Sequence, residues 1–193
     1  MAQRQVLRLS TGMKIFNDIY AINSGIYCRD DREVEMVTIE RTSDIDTIKS
    51  IVCHDDIYPF ISDDYSPLAT DYEPIIDDSI YWLLIKNSGV LCGLFMIHQS
   101  NGITCELHTC VLPECRGSKT TLYTKKLFDW IFENTQFKKV ITHVPSFNSA
   151  ALLLAEKSGM KREGINRLSF SKNQIIYDQY LLGITYQEWL SCH

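Results

Sequence analysis

The sequence predicts a single α/β (α+β) domain built on a mixed central sheet of about seven strands flanked by helices. Three observations carry this reading. A strand-like run passes at once into a helix within residues 33–52, three strand-like runs joined by tight turns follow within 81–111, and helices alternate with strands from 119 to 182. Strands joined by short turns form an antiparallel meander, whereas a strand, a helix and a further strand require a crossover, so both pairings occur in one sheet. With 193 residues, 45% of them apolar, and only 9 Gly and 5 Pro, the chain can bury one sizeable core and is short for two.

Residues 1–32 read as an N-terminal extension, with a short helix from Met13 to Ile22 ended by Asn23-Ser24-Gly25, and residues 33–193 as the domain. In Glu33 to Thr42 the run Val34, Met36, Val37, Ile39 marks a first strand. Ser43 or Asp44 then caps a helix whose apolar positions Ile45, Ile48, Ile51 and Val52 recur at helical spacing. Residues 59–78 carry Pro59, Pro67 and Pro74 among many Asp and read as an irregular connection. Tyr81 to Lys86 and Val90 to His98 flank Asn87-Ser88-Gly89, a tight-hairpin sequence, and Asn101-Gly102 turns into Ile103 to Val111. From Lys119 to Asn134, Leu122, Tyr123, Leu127, Trp130 and Ile131 form one helical stripe. Lys138 to Val144 is a fifth strand, Asn148 to Ser158 a helix stopped by Gly159, and Arg167 to Ser171 with Ile175 to Leu182 a closing pair.

Composition narrows the classes of function. No apolar run approaches the 18 or so residues of a membrane helix. Met1 to Thr11 alternates polar and apolar residues around Arg4 and Arg8 and does not resemble a secretory signal, so a cytoplasmic protein is expected. The 7 cysteines lack a CxxC pair and argue against a disulfide framework or a zinc site; no metal is expected, and the thiols read as reduced and mostly buried. The net charge of -5 is uneven. Residues 51–85 hold Asp55, Asp56, Asp63, Asp64, Asp71, Glu73, Asp77 and Asp78 without a Lys or Arg, which describes either a solvated loop or a lid that attracts cations. Nucleic acid is a poor partner for such a chain.

The segment Val111-Leu112-Pro113-Glu114-Cys115-Arg116-Gly117-Ser118-Lys119-Thr120-Thr121 places a strand end, a turn and a helix start in succession, where backbone N–H groups and the helix dipole can hold a phosphate. About 30 residues later comes Asn148-Ser-Ala-Ala151-Leu-Leu-Leu154-Ala-Glu-Lys157-Ser-Gly159-Met160. Together these resemble the GNAT superfamily of acetyl-CoA-dependent N-acetyltransferases over roughly residues 34–189. In that family a fourth strand leads into an Arg-Gly-x-Gly-x-Gly/Ala pyrophosphate loop, and a later helix reads Asn-x-x-Ala-x-x-Leu-Tyr-x-Lys-x-Gly-Phe. The wording at His98, Glu106, His108, Leu112-Pro113, Arg116-Gly117, Trp130, Val144-Pro145, Asn148 and Asp178 is similar to a branch of GNAT-like proteins encoded by tailed bacteriophages.

Departures from the pattern are specific. Lys119 and Thr121 replace the second and third small residues of the loop, Met160 replaces Phe, and Ala155 stands where many members carry the Tyr that protonates the departing thiolate. The resemblance implies acetyl-CoA as acyl donor, held by Arg116, Gly117, Ser118, Lys119, Thr120 and Thr121 at its pyrophosphate and by Asn148 along its arm, with the Val111 N–H on the thioester carbonyl.

Alternation on the strand ending at Val111 puts Glu106, His108 and Cys110 on one face. A lysine-like amine, with a pKa near about 10.4, must lose a proton before it attacks, a task for Glu106 first and His108 second. The same pair can equally satisfy each other's hydrogen bonds in a core. His54 and His98 read as structural, and Cys110 as an acyl-carrying nucleophile lacks an assignable base. The expected activity is transfer of acetyl to a primary amine by direct attack in a ternary complex. The acceptor is a cationic amine: a protein lysine or N-terminus, of a host protein in the phage setting, or a small amine. The alternative is a GNAT-fold binding or virion-associated protein whose site has decayed.

Overall fold

The computed structural model describes residues 36–191; the helix expected at Met13 to Ile22 and the first three residues of the expected first strand lie outside them. Seven strands form one mixed sheet in the order β1-β2-β3-β4-β5-β7-β6. They are β1 Val37–Thr42, β2 Ile80–Asn87, β3 Val90–Asn101, β4 Thr104–Val111, β5 Lys139–Pro145, β6 Lys161–Lys172 and β7 Ile175–Thr185. The helices are α1 Ile45–Val52, α2 Tyr58–Ile61, α3 Thr120–Asn134, α4 Ser149–Lys157 and α5 Tyr186–Leu190. None of the described helices is long and apolar enough to cross a membrane.

Local chemistry accounts for the meander. Ser88 (φ 48°) and Gly89 (φ 82°) both take positive φ, the conformation a two-residue hairpin loop needs. Asn101 accepts the N–H groups of Ile103 and Thr104 on its Oδ1, both at 3.1 Å, which turns β3 into β4. Asp44 is the cap of α1, its Oδ1 accepting from Asp46 N–H.

Strand alternation divides the core in two. Leu83, Ile85, Phe95, Ile97, Leu107 and Val111 pack against Tyr123, Leu127, Phe128 and Ile131 of α3, whereas Trp82, Leu94 and Cys110 pack against Ile48, Ile51 and Val52 of α1. The described cysteines are all free thiols.

Three elements differ from the sequence reading. α2 and α5 are too short to show periodicity; α2 carries Pro59 in its first turn, and α5 is set by a capping box between Thr185 and Glu188. β6 begins six residues earlier than expected because Lys161–Leu168 is exposed throughout and offers no alternation. Its register shifts between Asn166 and Phe170, where Leu168 takes φ 51° and donates its N–H to Asp178 Oδ1 at 2.8 Å.

The feature that positions the site is a parting of strands. β4 and β5 pair in parallel only over Thr104–Glu106 and Lys139–Ile141. Immediately beyond, Thr142 Oγ1 donates to the Leu107 carbonyl at 2.9 Å, a side chain where a backbone donor would otherwise sit. On the opposite edge of β4, Gly93 (φ 148°) lets β3 approach so closely that an added Cβ would lie 2.2 Å from the Cys110 carbonyl oxygen and 2.9 Å from Val111 Cα. β4 is therefore held to β3 through its last residue while β5 leaves it.

Gly93→Ala must push the end of β4 toward the gap, and we expect a loss of about 1–3 kcal/mol, the usual penalty of overpacking. Gly102→Ala, with nothing within 4 Å, should cost much less. Chemical denaturation of the two variants checks this.

Candidate active site

The parting of β4 and β5 exposes backbone on one side of β4. Leu112 N–H donates to Cys92 O at 2.9 Å, so ladder alternation turns the N–H and C=O of Val111 away from β3 and into the gap. Consistent with this, the Val111 carbonyl accepts from Arg116 Nε at 3.0 Å, reaching it from the loop beyond. Two cavities of about 160 and 640 Å³ open along the gap and share walls at Phe60, Ile61, Thr109, Asn148, Ala151 and Leu154.

At the smaller cavity Glu106 lies among three imidazoles. His143 Nδ1 is 2.8 Å from Glu106 Oε1, so with Glu106 ionised the Nδ1 carries the proton and donates it. His98, directly opposite Glu106 in the β3–β4 register, places Nε2 3.8 Å from Oε2, and His108 Nε2 lies 4.0 Å from Oε1. The rings of His98 and His108 stack at 5.6 Å. Partial loss of water, with 44% of the side chain still exposed, holds the pKa of His108 below its ordinary value; Glu106 opposes this, and His98 and His143 add to it. Neutral His108 can accept a proton. Glu106 and His108 are thus brought together as expected, and His98 joins them instead of standing alone. His143 escaped the sequence reading because the offset of a parallel pair is not written in either strand. The alternation of Val140 and Val144 into the core was the signal that turns His143 to the face of Glu106.

At the larger cavity the loop from Arg116 meets the start of α3. Gly117 takes φ 128°, and its N–H donates to Thr120 Oγ1 at 3.1 Å, so Thr120, buried, builds the loop. Arg116 also builds it, donating from Nη2 to the Asp56 carbonyl at 2.8 Å as well as to Val111. Arg116, Gly117, Ser118, Thr120 and Thr121 line this cavity, and the first turn of the fifteen-residue α3 brings its N–H groups and dipole to the rim. Lys119 is the N-cap of α3 and is not a lining residue; among the described residues the lining cations are Arg116 and Lys157, the latter in the last turn of α4. Asn148 lines both cavities and caps α4 through Oδ1, which accepts from Ala151 N–H at 3.1 Å, leaving its amide nitrogen for other partners.

Other sequence candidates find structural roles. His54 Nδ1 accepts the Asp56 N–H, and burial pushes the Cys110 thiol up to about 12, which removes it as a thiolate nucleophile. Ala155 lines the smaller cavity, and among the described residues no tyrosine lines either one. Part of the acidic segment is spent on folding: Asp64 accepts from Ser171 Oγ and from the N–H groups of Asn173 and Gln174, Asp77 from Ser79, and Glu73 pairs with Lys49 at 2.6 Å.

Solved structures share this architecture. The spermidine N-acetyltransferase of Vibrio cholerae in complex with CoA and spermine superposes with a TM-score of 0.67 at 19% identity, covering 80% of this chain and 98% of that one. A K23-Q34 chimera of that enzyme, SpeG, with hSSAT gives a TM-score of 0.68 at 20% identity over 80% of this chain and 98% of the other. The fold is that of the GNAT acetyltransferases. In sequence, protein p31 of Acyrthosiphon pisum secondary endosymbiont phage 1 is 28% identical over 88 residues, 45% of this chain. That match spans 57%, little more than half, of the phage protein's length. A family profile described as "Protein of unknown function (DUF2824)" matches residues 39–186, and with so much of its length covered the chain belongs to that family, set on a GNAT fold.

Proposed function

We propose that this protein is an acetyl-CoA-dependent N-acetyltransferase acting on a cationic primary amine. The observation that carries the reading is the gap beyond Glu106 and Ile141: the edge of β4 that no strand pairs lies between a phosphate-compatible helix start and a carboxylate among imidazoles. The fit to CoA rests on the larger cavity, with its apolar walls of Ile57, Phe60 and Leu153, the cations Arg116 and Lys157, and the start of α3. Acetyl-CoA supplies an acetyl group activated as a thioester. Arg116, Gly117, Ser118 and Thr121 would hold its pyrophosphate, with Lys157 taking the part the sequence offered to Lys119. Asn148 would donate its amide to the arm, and the Val111 N–H would donate to the thioester carbonyl oxygen, where negative charge grows during transfer.

Glu106 would accept the proton of the amine. Its Oε1 is oriented by the His143 N–H, its Oε2 faces His98, and His108 is the second acceptor within reach. The smaller cavity, with Phe60, Phe170 and Gln179 in its wall beside Glu106, is where the amine would enter. A solved relative holding spermine alongside CoA supports an amine acceptor, and so does the carboxylate itself; protein lysines, N-termini and small polyamines all present that group. A second reading, a protein that binds CoA without transferring acetyl, is favoured by one observation, Ala155 at the place of the usual thiolate acid.

Glu106→Gln should lower kcat about 10²-fold or more while leaving KM for acetyl-CoA nearly unchanged, because the group acts on the amine and not on the cofactor. Steady-state kinetics with a polyamine and a lysine peptide read this. Saturable CoA binding with no turnover by the wild-type chain would favour the second reading. Lys157→Glu should weaken CoA binding about tenfold at low salt, with the difference narrowing as salt rises; calorimetry at two ionic strengths checks it.

A further inference from the structure

We infer that His98, Glu106 and His108 form a binding site for a borderline divalent transition-metal ion such as Zn²⁺. One ligand atom from each residue, two imidazole nitrogens and a carboxylate oxygen, lies within 4.8 Å of the other two. Three points so spaced have a common centre within about 2.8 Å of each. Zinc bonds to such ligands are about 2.0–2.2 Å long, so an inward movement of about 0.6–0.8 Å per ligand brings the atoms to bonding distance, and the two imidazoles, stacked at 5.6 Å, must turn so that their in-plane lone pairs converge on the ion. Rotation of exposed side chains supplies that movement: His98 and His108 are 36% and 44% exposed, and Glu106, at 17%, is the anchor.

Two further features belong to a metal site. His143 donates from Nδ1 to Glu106 Oε1 at 2.8 Å, the outer hydrogen bond that orients a ligating carboxylate, and so leaves Oε2 turned toward His98. The backbone under the ligands is rigid, since His98 and Glu106 are direct partners in the β3–β4 ladder and His108 lies two residues along the same face. Two nitrogen ligands and one carboxylate with open positions toward solvent suit Zn²⁺, Co²⁺, Ni²⁺ or Fe²⁺ and do not suit Mg²⁺ or Ca²⁺, which require oxygen sets. The site has no local sequence signature because its ligands come from two strands. If Glu106 is the base, a reading on which this consequence alone rests, metal occupancy and acetyl transfer exclude one another.

The test is a Co²⁺ titration of the full-length chain under a reductant that does not bind metal, followed by visible absorption. We expect saturation at one equivalent, displacement by Zn²⁺, and no near-ultraviolet sulfur-to-metal band. His98→Gln and His108→Gln should each weaken binding at least about tenfold, and His54→Gln should not. Binding that survives in the His98→Gln/His108→Gln double variant, a sulfur-to-metal band, or no saturable binding by the wild-type chain would overturn the site. A measurement without variants guards against misfolding: Zn²⁺ should protect His98 and His108 of the wild-type chain from diethylpyrocarbonate, read by peptide mass. Equal modification with and without Zn²⁺ contradicts the proposal. None of these readouts involves acetyl-CoA, so failure here leaves the transferase reading to its own kinetics.

Discussion

Both cavities of the site open where β4 parts from β5 after three residue pairs. A continuous ladder would occupy the backbone of Leu107, Thr109 and Val111 and hold the two strands at pairing distance, leaving no room between them for a ligand. Two side-chain choices keep it open. Thr142 uses its hydroxyl on the Leu107 carbonyl, and Gly93, without a Cβ, allows β3 to retain β4 as far as Val111. The gap left between the strands is walled by α2 on one side and by α4 on the other.

From this parting follows a separation of charge. The helix start, Arg116 and Lys157 stand at the larger cavity, and Glu106 with its imidazoles stands at the smaller. A ligand that is anionic at one end and meets a cationic partner at the other satisfies both ends. The acidic segment contributes less than its composition suggests, because Asp64, Asp77 and Glu73 are engaged in turns and an ion pair. These contacts fix the segment against the β6–β7 hairpin and α1, so its carboxylates act first as structure.

Much of the fold was legible because its signals are local. The Ser88-Gly89 turn needs positive φ and obtains it, and the Leu122 to Ile131 stripe specifies the helix that covers the sheet. Arg116-Gly117 was legible as a loop, though Arg116 and Thr120 build it through Val111, Asp56 and Gly117. What escaped depends on partners distant in sequence. His143 and His98 join Glu106 through strand pairing, Lys157 arrives at the cavity at the end of α4, and the exposed first two thirds of β6 carry no alternation to read. The Glu106 and His108 pair was visible from alternation alone, but whether it closed on itself or faced a cavity was decided by the departure of β5.

Amide hydrogen exchange on the full-length chain with and without CoA tests whether the gap between β4 and β5 is a CoA site. If CoA binds there, exchange should slow in peptides covering Thr109–Thr121 and Asn148–Lys157, with β1 and β2 unchanged. Unchanged exchange in both of those segments at saturating CoA, or protection confined to another part of the chain, would contradict it.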